Sequence, residues 1–322
     1  MARIALDAMG GDHAPAETVA GAVDAARRGV DVVLVGPESI VRSELERLEA
    51  DLPVVDAPEV IEMGEDPARA LREKPNASIS VCARMVASGD AAGFVGAGST
   101  GAAMAAAALL VGRIKGVQRP AIATIFPTPG TPTLVLDSGA NPEVNANQLL
   151  QFAVMGSVAA ELILGVERPR IGLLNIGEEK GKGRELEKTA HEILEASGLN
   201  FIGNVEGRDV AADRCDVVVT DGFVGNVFLK TTEGAAKLVG GYFQEAISKL
   251  PPEVRAQVLP ALNEVRHRLD PETHGGAQLL GVKGVAVIGH GSSSRVAIAN
   301  ALQVAAEAAE RDLPGKIAAR LV

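Results

Sequence analysis

Apolar residues arrive along the first two-thirds of this chain in short β-branched bursts, separated by longer stretches where they recur every three or four positions. The bursts predict strands at Arg3–Ala8, Asp31–Gly36, Ala91–Gly96, Ala121–Phe126, Thr133–Asp137, Arg170–Ile176, Phe201–Val205 and Asp216–Thr220. The longer spacing predicts helices over Glu17–Arg28, Ser39–Glu49, Ser78–Ser88, Thr100–Val111, Gln148–Leu164, Glu185–Ala196 and Val227–Leu238. This alternation predicts an α/β fold, a three-layer sandwich with a largely parallel sheet covered on both faces. Ala121–Phe126 and Thr133–Asp137, joined by "PTPGTP", predict an antiparallel hairpin instead. From Gly240 to Pro271 the texture changes to helix without strand, interrupted by Pro251-Pro252 and Pro260. We expect one domain over residues 1–322, with a protruding helical hairpin at 240–271. "GVAVIGHGSSS" then returns to strand, loop and a final long helix.

Composition narrows the function more than the fold. The chain has 322 residues, 47% of them apolar, but only seven Phe, one Tyr and no Trp. Its core is therefore aliphatic, and the aromatic platforms that stack single-stranded nucleic acid are scarcely available. A formal net charge of −10 also argues against nucleic acid. Cys82 and Cys215 form no redox pair and no metal-ligand spacing, so both are expected to be reduced core residues. No secretory leader is expected, because Asp7 and Asp12 interrupt any apolar run at the start. The uncharged stretch Ala91–Gly112 has membrane-spanning length, but its glycines and its Ser99-Thr100 pair suit a buried strand–turn–helix better.

The chemistry is concentrated where strands end. "DAMGGD" (Asp7–Asp12), "GAGSTGA" (Gly96–Ala102), "LDSGAN" (Leu136–Asn141), "LNIGEEKGKG" (Leu174–Gly183), "TDGFVGN" (Thr220–Asn226) and "GHGSSS" (Gly289–Ser294) share one grammar. Each places glycine with Ser, Thr, Asn or Asp between an apolar strand and a helix. Glycine lets the backbone approach a ligand, and a helix start attracts an anion. In a parallel sheet the strand C-termini open on one edge, so the six loops are expected to converge on one anion-binding cleft. No P-loop, dinucleotide fingerprint or GxSxG elbow is present. Without a covalent nucleophile, the expected chemistry is direct attack of one bound substrate on another.

These loops, with "VGRIKGVQRPA", "QFAVMGS", "LLNIGEE", "LKTTEG" and "HGGAQLLGVKG", resemble in order and spacing the bacterial acyl-ACP:phosphate acyltransferases of phospholipid synthesis. The resemblance runs from Ile4 to about Asn300, and "TDGFVGNVFLKTTEG" is its most specific segment. It implies transfer of a long acyl chain from acyl carrier protein to inorganic phosphate, giving an acyl phosphate for glycerol 3-phosphate acylation. It further implies a sandwich related to phosphotransacetylases and isocitrate/isopropylmalate dehydrogenases, a homodimer, no cofactor and no metal. Localisation would be cytoplasmic, peripheral to the membrane, beside the downstream glycerol-3-phosphate acyltransferase.

Within that reading Asn226 is the expected donor to the carbonyl, and Lys182 neutralises phosphate or the leaving thiolate. Asp221 either orients these groups or is a turn residue, and Lys230 either faces the site or is a solvated helix lysine. The phosphate and acyl-phosphate site is assigned first to Asp7, Gly10, Gly11, Asp12 and His13, then to Gly98, Ser99, Thr100 and Gly101. Asp137, Asn141, Gly177, Lys230, His290 and Ser292 complete it. For His13 the plainer alternative is a hydrogen bond to Asp7 or Asp12, and for "GHGSSS" an N-cap loop.

Three positions depart from the family pattern. Ser99 stands for Asn, His274 for Tyr, and Ile288 for a lysine. Acyl carrier protein is acidic, so a basic contact patch is required, and Arg113, Lys115 and Arg119 are assigned to it. In the hairpin, apolar positions such as Leu250, Val254 and Leu262, with Arg255, Arg266 and Arg268, fit anionic membrane or a dimer partner equally. Two rival readings remain in view, a short-chain phosphotransacetylase using acyl-CoA and a non-catalytic membrane scaffold. An acyl-length and carrier series separates the first, and phosphate-dependent turnover the second.

Overall fold

The computed structural model describes residues 2–269, 273 and 275–321. The first half alternates as expected: β1 (Ile4–Asp7), α1 (Ala16–Arg27), β2 (Val32–Gly36), α2 (Glu38–Arg47), β3 (Val54–Asp56), α3 (Pro67–Glu73), α4 (Ser78–Ser88), β4 (Gly93–Gly96) and α5 (Thr100–Ala106). The hairpin β5 (Ala121–Phe126) and β6 (Thr133–Leu136) follows, then α6 (Ala146–Ala159), β7 (Ile171–Leu174), α7 (Glu185–Glu195), β8 (Phe201–Val205), α8 (Gly207–Val210) and β9 (Val217–Val219). The chain closes with α9 (Gly222–Ser248), α10 (Pro252–Leu269), β10 (Ala277–Leu280), β11 (Val285–Ile288), α11 (Arg295–Glu310) and α12 (Leu313–Arg320). Both α5 and α6 end in a π-helical turn, at Ala107–Val111 and Ala160–Leu164.

All eleven strands form one sheet, in the order β3-β2-β1-β4-β11-β10-β5-β6-β9-β7-β8. The pairings β11–β10, β10–β5 and β5–β6 are antiparallel and the others are parallel. Pattern reading omits β3, a three-residue edge strand, and β10, whose "AQLL" is too short to show a period. The two antiparallel pairings of β10 cancel, so β5 runs with β11, and the β5–β6 hairpin then turns the set β6-β9-β7-β8 opposite to the set β3-β2-β1-β4-β11. The six polar loops therefore do not share one sheet edge, as a uniformly parallel sheet would require.

The two faces are covered differently. On one, alternate strand residues from Ile4 and Leu6 across to Ile171 and Leu173 form a continuous apolar layer under α1, α2, α6, α7, α11 and α12. On the other, the layer divides in two. One cluster joins Ala5, Phe94 and Ile122 to α3, α4 and α5; the second joins Phe126, Val135 and Val218 to α8 and the first turns of α9. Strand β5 passes from the first cluster at Ile122 to the second at Phe126, and Thr124 between them is only half-buried. The middle of this face is thus a strip without a helix over it, flanked by α5 and α9.

Cys82 and Cys215 are both buried and free. The Ala91–Gly112 stretch is β4, α5 and its π-turn, largely interior. The helix Ala146–Leu164 is long and apolar enough to cross a membrane, and half of it is buried in the protein. The hairpin also differs from its sequence reading. Its first arm, α9, runs unbroken from Gly222 through Gly240-Gly241 to Ser248, since isolated glycines lower helix propensity by only about 1 kcal/mol each. Its second arm continues through Pro260 with no buried residue, so a local kink there disturbs no core.

Candidate functional site

The loop after β6 is built around a buried carboxylate. Asp137 Oδ1 accepts from the N–H groups of Ile122 (3.0 Å), Gly139 (3.2 Å) and Ala140 (3.0 Å). Its Oδ2 accepts from Asn141 N (2.7 Å) and Asn141 Nδ2 (2.8 Å). Burial nonetheless holds the Asp137 pKa above the ordinary carboxylate range, the donors offsetting only part of that cost. Asn141 also donates to Pro120 O (2.7 Å), which ties the loop to the start of β5. Asp137 and Asn141 are therefore consumed in shaping the loop. A phosphate there would meet what they hold in place, not their side chains.

Helix α9 begins directly on that loop. Gly222 N donates to Asn141 O (2.8 Å), and Asp221 caps the helix by accepting from Val224 N (2.7 Å). A Cβ on Gly222 would lie 2.8 Å from Asn141 N and O, and one on Gly225 would lie 2.0 Å from Asp137 O. These contacts account for the two glycines of "TDGFVGN". Beyond them Asn226 is exposed, packed against Gly139, whose φ of +136° suits glycine. Among the described residues its amide has no hydrogen-bond partner, so it is available to a ligand.

The loop after β7 supplies the cations. Arg184 donates to Asp221 and to Glu187, linking the α9 cap to the first turn of α7. Burial alone would raise the Glu187 pKa, but the hydrogen bonds and charge of Arg184 outweigh it and hold the group below its usual value. The Lys182 stem packs on Gly177 while its ammonium stays exposed, 4.0 Å from Glu179. Asn175 secures the loop by donating to Lys182 O (3.0 Å). Lys230, one turn beyond Asn226, is paired with Glu233 (2.9 Å) on the helix surface.

The loops after β1, β4 and β11 form a separate group around glycine contacts. A Cβ on Gly10 would lie 2.8 Å from Gly98 N, and one on Gly11 (φ +112°) 3.1 Å from Gly291 O. Asp12 N donates to that same carbonyl (2.7 Å). Asp7 points inward, accepting from Met9 N (3.1 Å), and burial raises its pKa, with Ser78 opposing. Ser99 caps α5 by accepting from Ala102 N (3.3 Å), and Thr100 and Gly101 begin the helix, Gly101 against Pro67. His290 Nδ1 lies 2.9 Å from Ser292 Oγ, while Ser294 caps α11 by accepting from Ala297 N (3.4 Å), the capping role expected of this loop. His13 is exposed and, among the described residues, its ring bonds neither Asp7 nor Asp12. The two groups flank the helix-free strip, one at the start of α5 and one at the start of α9.

With that geometry in hand, comparison with known proteins is decisive. A family described as "Fatty acid synthesis protein" matches residues 2–316. A phosphate acyltransferase of Desulforamulus reducens is 48% identical over 317 residues, covering 97% of this chain and 95% of that protein. One of Heliobacterium modesticaldum is 48% identical over 330 residues, covering 98% of each. The chain belongs to the phosphate acyltransferase family.

Solved structures agree on the fold. A phosphotransacetylase from Streptococcus pyogenes superimposes with a TM-score of 0.63 at 18% identity, covering 96% of this chain and 94% of that one. A 4-hydroxythreonine-4-phosphate dehydrogenase from Klebsiella pneumoniae gives 0.54 at 17% identity, covering 96% and 100%. Of the departures from the family pattern, Ser99 keeps a capping oxygen and Ile288 is buried in the apolar layer under α5; His274 lies outside the described residues. Sequence reading missed Arg184, Glu187 and Asn175. The first two carried a signal, the R-x-x-E spacing of a helix start immediately after "GKG". Among the described residues no group of three or more His, Cys, Asp or Glu is placed to hold a metal ion.

Proposed function

We propose that this phosphate acyltransferase moves a long-chain acyl group from acyl carrier protein to inorganic phosphate. A phosphate oxygen attacks the thioester carbonyl carbon, the C–S bond breaks, and the thiolate leaves, taking up a proton. The acyl phosphate then acylates glycerol 3-phosphate in the next step of phospholipid synthesis. The observation that carries this reading is the unpartnered Asn226 amide, held against Gly139 in the first turns of α9, whose cap Asp221 is bonded by Arg184. In that position the amide and the positive helix end serve the negative charge developing on the carbonyl oxygen. Lys182, on its exposed loop, serves the phosphate or the leaving thiolate. Asp221 acts through Arg184 and the α9 cap, as a positioning residue.

The glycine contacts at Gly10–Gly98 and Gly11–Gly291, with Ser99, Thr100, His13, His290 and Ser292 around them, form the other wall, toward phosphate. Arg113, Lys115 and Arg119 contact the carrier protein. The exposed apolar side chains of α9 and α10, among them Leu238, Tyr242, Phe243 and Val265, support a homodimer and peripheral membrane contact in the cytoplasm, near the downstream acyltransferase.

The test is purified protein with palmitoyl-ACP, with and without phosphate, following free carrier protein and acyl phosphate together. Phosphate-dependent formation of both, lost in Asn226→Ala, is the expected result. No acyl phosphate from any long-chain carrier thioester, with turnover of acetyl-CoA instead, would give the activity to the short-chain reading.

A further inference from the structure

Away from both loop groups, a cavity of about 370 Å³ opens at the start of β4 and β11, lined by Ala92, Ile114, Val285 and Ala318. Lys115 and Lys283 stand at its rim, both exposed, and among the described residues neither forms an ion pair. Asp312 also lines it, but its carboxylate is committed to capping α12 through Gly315 N (3.2 Å). A chain carrying a net charge of −10 thus presents two unpaired lysines, against the single carboxylate of Asp312, around an apolar-floored hollow at this corner.

The hollow is laced to the functional site by the 112–120 loop. Lys283 N donates to Gly112 O (2.9 Å), and Ile114 N to Gly281 O (3.0 Å), so the β10–β11 turn carrying Lys283 is stitched to the loop carrying Lys115. Gln151 on α6 clamps the loop's turn, accepting from Gln118 N and donating to Gly116 O, both at 2.9 Å. Arg113 donates to Gln118 O (2.5 Å), and the loop ends at Pro120, whose carbonyl accepts from Asn141 beneath α9. The cations are therefore carried on a braced surface tied by hydrogen bonds to the loop beneath α9, which lowers the ordering cost of docking.

We propose that this hollow is the docking point of the acidic acyl-carrying protein. Its carboxylates meet Lys283 and Lys115, and one apolar side chain enters the cavity. Charge complementarity selects the occupant, since an acidic protein is what a pair of unpaired lysines with net positive charge on an acidic enzyme attracts. Lys283 extends the patch expected at Arg113, Lys115 and Arg119 and is the member nearest the β10–β11 turn. The proposal rests on the carrier-protein reading of the acyl donor.

The test compares decanoyl-ACP with decanoyl-pantetheine, which offers the same thioester without the protein. Lys283→Glu is expected to raise KM for decanoyl-ACP about tenfold without changing kcat or turnover of decanoyl-pantetheine. Ala318→Phe, which fills the cavity without altering charge, should raise the same KM. An unchanged KM for decanoyl-ACP in both variants, or equal losses on the two donors, overturns the docking site. Binding of fluorescent carrier protein separates this from the reaction itself. If the wild-type protein binds it and Lys283→Glu does not, the docking point stands even where no acyl phosphate forms. Equal binding by the two proteins overturns it.

Discussion

Asn226 owes its place to neighbours that leave it nothing to bond. Gly139 brings no side chain to it, and the carboxylate of Asp137 is filled by five other donor contacts. Asn226→Ala is therefore expected to lower kcat by about 10²–10³, the usual cost of one oxyanion donor, with an unchanged circular dichroism spectrum. Glu187 makes a prediction about pH. Its pKa lies below the 4.5 of an unfolded glutamate, so its contribution to stability is complete above that pH and is lost as pH falls through the lowered value. Asp7 and Asp137, with raised pKa values, act in the opposite sense, their stabilising contribution growing as they take up protons. Thermal melts from pH 7 to pH 3 should show a shallower acid loss in Glu187→Gln than in wild type. At this scale the sequence named Asn226, Lys182 and Asp221. Arg184 escaped because it joins a near partner to a distant one, Glu187 three residues on and Asp221 thirty-seven.

Helix α9 shows how one element is positioned by glycine. Two of its first-turn residues press on the backbone of another loop, and the Gly225 contact admits no side chain. Gly225→Ala would force α9 off the Asp137 carbonyl, with an expected loss of about 1–3 kcal/mol in urea unfolding and a fall in kcat as Asn226 moves. An unchanged midpoint and rate would mean that the helix start is not fixed by this contact. The motif was visible in sequence as a strand-end loop before a helix. Its length was not, because Gly240-Gly241 reads locally as a boundary, while the helix ends only where Ile247 is buried and Pro251 follows.

Across the whole molecule, the hairpin of α9 and α10 contributes little to the core. Leu238, Val239, Tyr242 and Phe243 are each at least half exposed. Changing these four to serine is expected to move Tm by no more than about 2 °C, since exposed side chains contribute a few tenths of a kcal/mol each. The same variant should lose sedimentation with anionic vesicles. A larger drop in Tm would mean that these side chains stabilise the fold, and unchanged sedimentation would remove them from membrane contact. The aliphatic core, the α/β class, the β5–β6 hairpin and the six polar loops were legible from sequence, because apolar period, β-branching and glycine placement are local properties. Which loops meet was decided only by the tertiary structure. Strand β10 joins β11 to β5 so that these two run the same way before the hairpin turns the rest of the sheet, and these pairings link distant segments that no local pattern records.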